Sequence, residues 1–361
     1  MLVHTKINGI KIAAISAAVS NDWESLADVM KRLNAEDETL LKKFQAIVGI
    51  KGRYNAGKYQ TTSDFCYAAA RKILEVKNID PSEIGIIIFI TQTPDYYEHP
   101  ASACLLQYRL GISHDCIAFD VNLGCSGFTY GINIVSSLLK SSNADKALLL
   151  CGDTRSKERS QRIQTPASNS NRYLFGDAGT AALLVKDEAE EIHMLSKTDG
   201  SGYKAIITPY GGYRNPDPPE ENLMLASEMD EIPVFTFATR DVTPSIIDTM
   251  NLNKFTPDDY DALVLHQANL FIMNRIAKKS GFPIEKMLVS IDEFGNTSSA
   301  SIPVTLVKHY GDAESQKLHI MACGFGVGLS CSTADFYMDS VDILPLVHTD
   351  EFFDDGYKTI E

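Results

Sequence analysis

Four short apolar runs, rich in β-branched residues, stand at 84–91 (IGIIIFIT), 116–121 (CIAFDV), 147–151 (ALLLC) and 179–185 (GTAALLV). Apolar residues at helical spacing fill 62–76, 101–110 and 127–139. The runs are apolar at consecutive positions rather than every second one, which predicts strands buried on both faces. Alternation with helices predicts an α/β protein whose sheet is covered on both sides. The second half repeats the theme, with strands at 261–265 (DALVL) and 317–322 (KLHIMA) and helices over 270–280 and 298–310. Between the halves, 199–233 is rich in Gly, Pro and Tyr in its first two thirds and is expected to be an irregular excursion. From about 339 the chain turns acidic and ends DEFFDDGYKTIE, which predicts a solvated extension.

Length supports the doubled reading. The chain has 361 residues, and single cores stop growing near roughly 250–300. Lys plus Arg number 33 and Asp plus Glu 47, so the net charge is −14. That balance argues against nucleic acid and anionic lipid as partners, since both need a dense basic face. No apolar run reaches the ~18 residues of a membrane span, and Lys and His break up the first nineteen residues too much for a signal peptide. The seven Cys contain no CxxC pair, so neither a disulfide framework nor a zinc site is expected, and a cytoplasmic setting is.

Three clusters carry candidate chemistry, each at an expected strand-to-helix turn. In 122–128 (NLGCSGF) a glycine turn sets Cys125 at a helix start, where unpaired N–H groups and the helix dipole favour a thiolate. A small buried Cys in a tight junction would look the same. In 265–269 (LHQAN), His266 ends a buried strand, where open α/β sheets build their sites. In 294–303 (FGNTSSASIP), Asn296 follows another glycine turn and could equally be a helix cap. Taken together, Cys, His and Asn are the parts of a thiolate acyl-transfer site.

NLGCSGFTYG, LHQANL and FGNTSSASIP resemble the three signature motifs of the ketoacyl-ACP synthase III family, within the thiolase-like condensing enzymes. FGDAGTAALLV at 175–185 and CGFGVGLS at 323–330 stand where that family carries its FGDGAG-type strand and its C-terminal glycine loop. The resemblance implies a five-layered αβαβα sandwich of two similar halves, here 1–186 and 187–338, followed by the extension 339–361, and a homodimer. It implies Cys125 as nucleophile, His266 and Asn296 as donors to a decarboxylating malonyl group, and an oxyanion hole from the Cys125 N–H and the loop of Gly324, Gly326 and Gly328. It implies acyl carrier protein and acyl thioesters as partners, with no metal or redox cofactor.

The departures concern the substrate. The family's Trp and Arg that grip CoA fall on Lys43 and Ile47, the Arg expected after HQANL is Phe271, and the Trp after the glycine loop is Cys331. Arg275, Lys278 and Lys279 do match a basic face for an acidic carrier. A carrier-bound or unusual acyl donor is therefore expected, in a relative specialised for secondary metabolism or surface glycans. Acyl transfer to an alcohol or amine and a non-catalytic partner subunit are the alternatives. The intact triad opposes the second, and Asn296, which belongs to enolate chemistry, favours carbon–carbon bond formation over the first.

Overall fold

The computed structural model describes residues 3–32, 37–157, 173–220 and 227–357. Ile84–Ile90 pairs in parallel with Ile117–Val121 on one edge and Lys146–Asp153 on the other. Lys146–Asp153 is antiparallel to the first part of Ala178–Thr198, whose far edge takes residues 10–18 of the strand Val3–Val19. The second half repeats that order. Leu263 bridges Met287 in parallel, and Ala262–Leu265 runs parallel to Lys317–Gly326. Lys317–Gly326 turns back into Ser330–Asp339, which is antiparallel to residues 193–198. The strand Ala178–Thr198 thus serves both halves, and the division at 186/187 falls inside it.

Alternation along each strand sorts the side chains into layers. Ile86, Ile88 and Ile90 join one apolar cluster with Phe128 and Ile132 of the helix Gly127–Ser141. Ile87 and Phe89 join another with Phe65 and Ile73 of the helix Thr62–Lys77. In the second half, Val264 and Ile320 share the first cluster with Val304 and Leu306 of the helix Ser301–Tyr310. Leu263 and Met321 instead pack with Ile246 of Thr243–Asn253 and Ile276 of Leu270–Ser280. The order helix, sheet, helix, sheet, helix is the five-layered αβαβα sandwich. Each of these fully buried side chains contributes roughly 1.5–3 kcal/mol.

Two long strands lie outside the runs read from sequence. Val3–Val19 shifts register between Asn8 and Ile10, where Gly9 takes φ 77°, and this breaks its alternation. Ser330–Asp339 is built on small polar residues, which stay buried because they are bonded: Ser332 Oγ lies 2.9 Å from Ser196 Oγ, and Thr333 Oγ1 lies 2.7 Å from Thr249 Oγ1. Among its described residues, the excursion holds a 3-10 turn at Gly200–Gly202 and the short pair Ile206–Ile207 and Glu228–Met229, then ends in a helix at Glu231–Phe237. That helix runs through a π-helical segment, Ala238–Val242, into Thr243–Asn253, whose Pro244 lacks the N–H an uninterrupted α-helix would use.

The expectation of a solvated tail is corrected in part: most residues from 348 to 357 are exposed, but their main chain docks on the body, and 358–361 lie outside the described residues. Val347–His348 adds in parallel to Ala18 and Val19. Gln60 Nε2 donates to the Thr349 carbonyl at 2.8 Å, and the Phe353 N–H to Asp64 Oδ1 at 2.9 Å. Arg109, in a buried ion pair with Asp64 at 2.8 Å, lies over the rings of both Tyr67 and Phe353. Asp350, Glu351 and Asp354 are exposed, while the backbone docks, Phe352 packs 5.5 Å from Tyr59, and Phe353 lies under Arg109.

Candidate active site

Cys125 lies in the turn between Ile117–Val121 and Gly127–Ser141, so its thiol stands at the start of a middle-layer helix. The returning glycine loop presses on this turn. A Cβ on Gly326, which has φ 155°, would come 2.8 Å from Cys125 Sγ, and one on Gly324 would come 2.8 Å from Ser126 Cα. Only glycine permits that approach. Gly328, at φ 137°, lies beyond the contact and meets Ser330 instead. The backbone N–H groups of Val327 and of Cys125 itself favour the thiolate form of the sulfur.

His266 is held where the strand Ala262–Leu265 ends. Its N–H donates to the Cys323 carbonyl at 2.9 Å, and its Nδ1 lies 2.8 Å from Ser301 Oγ. Its motif neighbours are structural. Gln267 donates to the carbonyls of Leu265 and Leu288 and accepts from the N–H groups of Ser290 and Ile291, so the buried amide is satisfied at both ends. Asn269 caps the helix Leu270–Ser280, accepting from the Ile272 N–H at 2.8 Å.

Asn296 is strapped to the first half. Its N–H donates to the Leu174 carbonyl at 2.8 Å and its own carbonyl accepts from Gly176 at 3.2 Å. Its side chain does what a capping residue does and something more. Oδ1 accepts from the Ser298 N–H at 2.9 Å, and this turns Nδ2 toward His266 Nε2, 3.4 Å away.

Cys125, His266 and Asn296 all line one cavity of about 370 Å3. Gly326 and Val327 line it too, while Gly324 and Gly328 do not. Its mouth is apolar: Ile47 and Phe271 are exposed there, and Phe271 stacks on Phe235 with ring centroids 5.7 Å apart. Lys43 is exposed and outside the lining, and Cys331 is buried beside Ser245. Arg275, Lys278 and Lys279 are exposed on the helix whose first turn supplies Phe271 and Ile272 to the cavity.

Burial governs the titration of the two reactive groups. It pushes the Cys125 thiol up to about 11, with the Val327 N–H and the Arg155 charge pulling the other way. The dipole expected to favour a thiolate is therefore outweighed in the closed site. Burial also lowers His266 to about 3, against a smaller opposing bond to the Ser298 carbonyl, so the imidazole is neutral at pH 7. Sequence reasoning had not singled out Val327, Ser301 or Arg155. Val327 lies within the glycine loop, but only tertiary contact marks its N–H. Among the described residues, no group of three or more His, Cys, Asp or Glu is placed to hold a metal ion, and no helix is long and apolar enough to cross a membrane.

Residues 119–200 match the 3-oxoacyl-[acyl-carrier-protein] synthase III profile, and residues 250–336 match its C-terminal domain. The chain is 34% identical over 298 residues to the beta-ketoacyl-[acyl-carrier-protein] synthase III of Rhizorhabdus wittichii, covering 82% of this chain and 88% of the relative. It is 32% identical over 328 residues to the synthase III of Campylobacter fetus subsp. fetus, covering 90% and 96%. The crystal structure of the 3-oxoacyl-(acyl-carrier protein) synthase from Burkholderia xenovorans LB400 superposes with a TM-score of 0.87 at 30% identity, covering 96% of this chain and 99% of that one. Layers, strand order and relatives agree on a thiolase-like condensing enzyme. The chain belongs to the beta-ketoacyl-[acyl-carrier-protein] synthase III family, whose members are acyltransferases that work through an acyl-cysteine and a Claisen condensation with a malonyl thioester.

Proposed function

We propose that this chain joins an acyl group carried on Cys125 to the two-carbon unit of malonyl-[acyl-carrier-protein], releasing CO2 and a 3-oxoacyl thioester. The observation that supports this reading is the convergence of Cys125, His266 and Asn296 on one cavity from three separate turns. In the first half-reaction the sulfur attacks the donor thioester carbonyl, the donor's C–S bond breaks, and the thiol proton leaves on the departing donor. The N–H groups of Cys125 and Val327 stabilise the oxyanion, a contribution worth about 3–4 kcal/mol for one such donor.

In the second half-reaction the malonyl carboxylate leaves as CO2 and its electron pair becomes an enolate. Nε2–H of His266 and Nδ2–H of Asn296 hold the enolate oxygen. In this reading Ser301 Oγ, 2.8 Å from Nδ1, donates to it, and the His266 proton stands on Nε2. A neutral imidazole stabilises this charge without quenching it by proton transfer. The enolate carbon then attacks the acyl-Cys125 carbonyl, and the bond to sulfur breaks to free the thiolate, which takes up a proton from solvent to restore the thiol.

Arg275, Lys278 and Lys279 form the proposed docking face for the acidic carrier, and the apolar Ile47 and Phe271 in place of CoA-gripping residues favour a carrier-bound donor. The edge strand Ile117–Val121 pairs on one side only and exposes Ile117 and Phe119, which supports a homodimer joined at this edge. The halves 1–186 and 187–338 are taken as the two repeats, and the cytoplasm as the site of action. Intact-protein mass spectrometry with a panel of acyl-CoAs and acyl carriers, followed by addition of malonyl carrier, tests the reading. The expected result is an adduct on Cys125 that disappears as 3-oxoacyl product forms; an adduct on Cys104, Cys116 or Cys151 instead would refute it.

A further inference from the structure

Ser126 follows the nucleophile and stands at the N-cap of Gly127–Ser141, where a serine side chain ordinarily accepts from the N–H groups of its own first turn. Ser126 makes no such bond. Its Oγ lies instead 2.8 Å from Ser330 Oγ, 204 positions along the chain. Ser330 Oγ in turn donates to the Val327 carbonyl at 2.8 Å. A hydroxyl has one proton to give, so with that of Ser330 committed to Val327, Ser126 is the donor between the two serines. Both residues are buried, so water does not compete for these bonds. The relay runs from Ser126 to Ser330 to Val327.

This relay crosses the seam between the nucleophile turn and the returning glycine loop. Gly324 and Gly326 let the two backbones come into contact there, since a Cβ on either would lie within 2.8 Å of residues 125 and 126. Contact sets how near the loop comes, but not how residue 327 is turned. Val327 stands between Gly326 at φ 155° and Gly328 at φ 137°, two residues with wide conformational freedom. A bond on its carbonyl removes that freedom, and the N–H of the same residue is the one that favours the Cys125 thiolate. Stabilising an oxyanion requires donors that are already in place when the charge develops.

We propose that Ser126 and Ser330 are positioning residues for acyl transfer, whose hydroxyl relay turns Val327 so that its N–H meets the thiolate and then the oxyanion of the acyl carbonyl. The proposal rests on the acyl-Cys125 reading above and adds no bond change to it. Neither serine lines the cavity, so both act through Val327. The donors His266 and Asn296 are held by Ser301 and Ser298, outside this relay, so the release of CO2 does not depend on it.

The test times acylation of Cys125 by intact mass, with the best donor of the acyl-CoA and acyl-carrier panel, and times CO2 release from malonyl carrier on protein already acylated. Ser330→Ala should slow acylation about 10-fold, since it misplaces an oxyanion donor whose outright loss costs about 10²–10³-fold. Its CO2 release should be unchanged. Ser330→Thr, which returns a hydroxyl to the same carbon, should restore acylation. Ser126→Ala keeps the Ser330–Val327 bond and loses only its brace, so acylation should slow about threefold, and the double variant should be no slower than Ser330→Ala because the relay acts as a unit. Iodoacetamide alkylation of Cys125 at pH 8 should fall in the same order, as the thiolate loses the Val327 N–H. Thermal melting checks that each variant is folded. Wild-type acylation in a folded Ser330→Ala protein overturns the proposal, as does equal slowing of acylation and CO2 release, or a Ser330→Thr protein no faster than Ser330→Ala. If Ser330→Ala does not fold, Ser126→Ala decides alone, and wild-type rates of acylation and alkylation in it overturn the relay. All of these outcomes leave acyl-Cys125 intact. Absence of any Cys125 adduct in the wild-type protein overturns that reading, and this one with it.

Discussion

The amide nitrogen of Asn296 stands 3.4 Å from Nε2 of His266, although the two side chains arrive from different turns of the second half. Neither is free to swing: Ser298 N–H pins the amide oxygen at 2.9 Å, and Ser301 Oγ lies 2.8 Å from the far ring nitrogen. Two N–H donors preorganised at one point are what a developing enolate oxygen requires.

His266→Ala and Asn296→Ala are expected to leave acylation of Cys125 largely intact and to slow malonyl decarboxylation by about 10²–10³-fold. Single-turnover assays resolve the two half-reactions. Equal loss of both steps in either variant would contradict the division of labour.

The pH dependence follows from the direction of the two shifts. The Cys125 thiol is raised to about 11, so its thiolate fraction should grow about tenfold per pH unit from pH 7 to 10. Iodoacetamide alkylation, read by mass at Cys125 and absent in Cys125→Ala, measures it. His266 is lowered to about 3, so it stays neutral as pH falls from 8 to 5 and the decarboxylation step shows no acid limb from imidazole. An inflection near 6.5 that vanishes in His266→Gln would show the ring to be solvated.

Lys278 and Lys279 share an exposed face with Arg275 on a helix that begins at the cavity mouth. Reversing both lysines to Glu should raise the KM for a carrier-bound donor, with much less effect on a small N-acetylcysteamine thioester. Added salt should weaken the wild-type carrier reaction, because screening acts over about 8 Å at physiological ionic strength. If both substrates slow equally, or neither does, docking lies elsewhere.

Arg109 neutralises the buried Asp64, and Asp64 in turn holds the Phe353 N–H of the tail. Arg109→Met should cost about 3–5 kcal/mol, because it strands a buried carboxylate. Urea denaturation reads the loss. Proteolysis of the tail in the variant, and not in the wild type, would follow if the docking depends on this pair.

Much of this was legible in the residues. The apolar runs at 84–91, 147–151 and 179–185 announce strands because these positions are buried from both sides, whereas 117–121 is a half-exposed edge strand that its β-branched and aromatic residues alone betray. Val3–Val19 hid because a bulge at Gly9 interrupts its rhythm, and Ser330–Asp339 hid because its interior is small and polar. Cys125 and Asn296 stood out because glycine turns precede them, and His266 because it ends an apolar run just before a helical pattern. Arg155 and Ser301 did not, because each is marked only by a contact distant in sequence, Arg155 with Gln92 and Ser301 with His266. The tail misled because its acidity spoke for its side chains, while its main chain supplies the attachment.

The strand Ala178–Thr198 has a consequence for how the protein is made. Its partner Val3–Val19 leaves the ribosome about 160 residues ahead of it, yet the pairing runs from Ala18 with Gly179 back to Val3 with Ser196. Until that later segment emerges, the opening strand has no edge to join, and the first sheet lacks the members that close it on this side. Nascent chains stalled in this interval expose unpaired strand edges, the surface on which aggregation starts. The order of synthesis therefore makes the start of the chain wait on its middle, and neither repeat can finish folding before the strand they share.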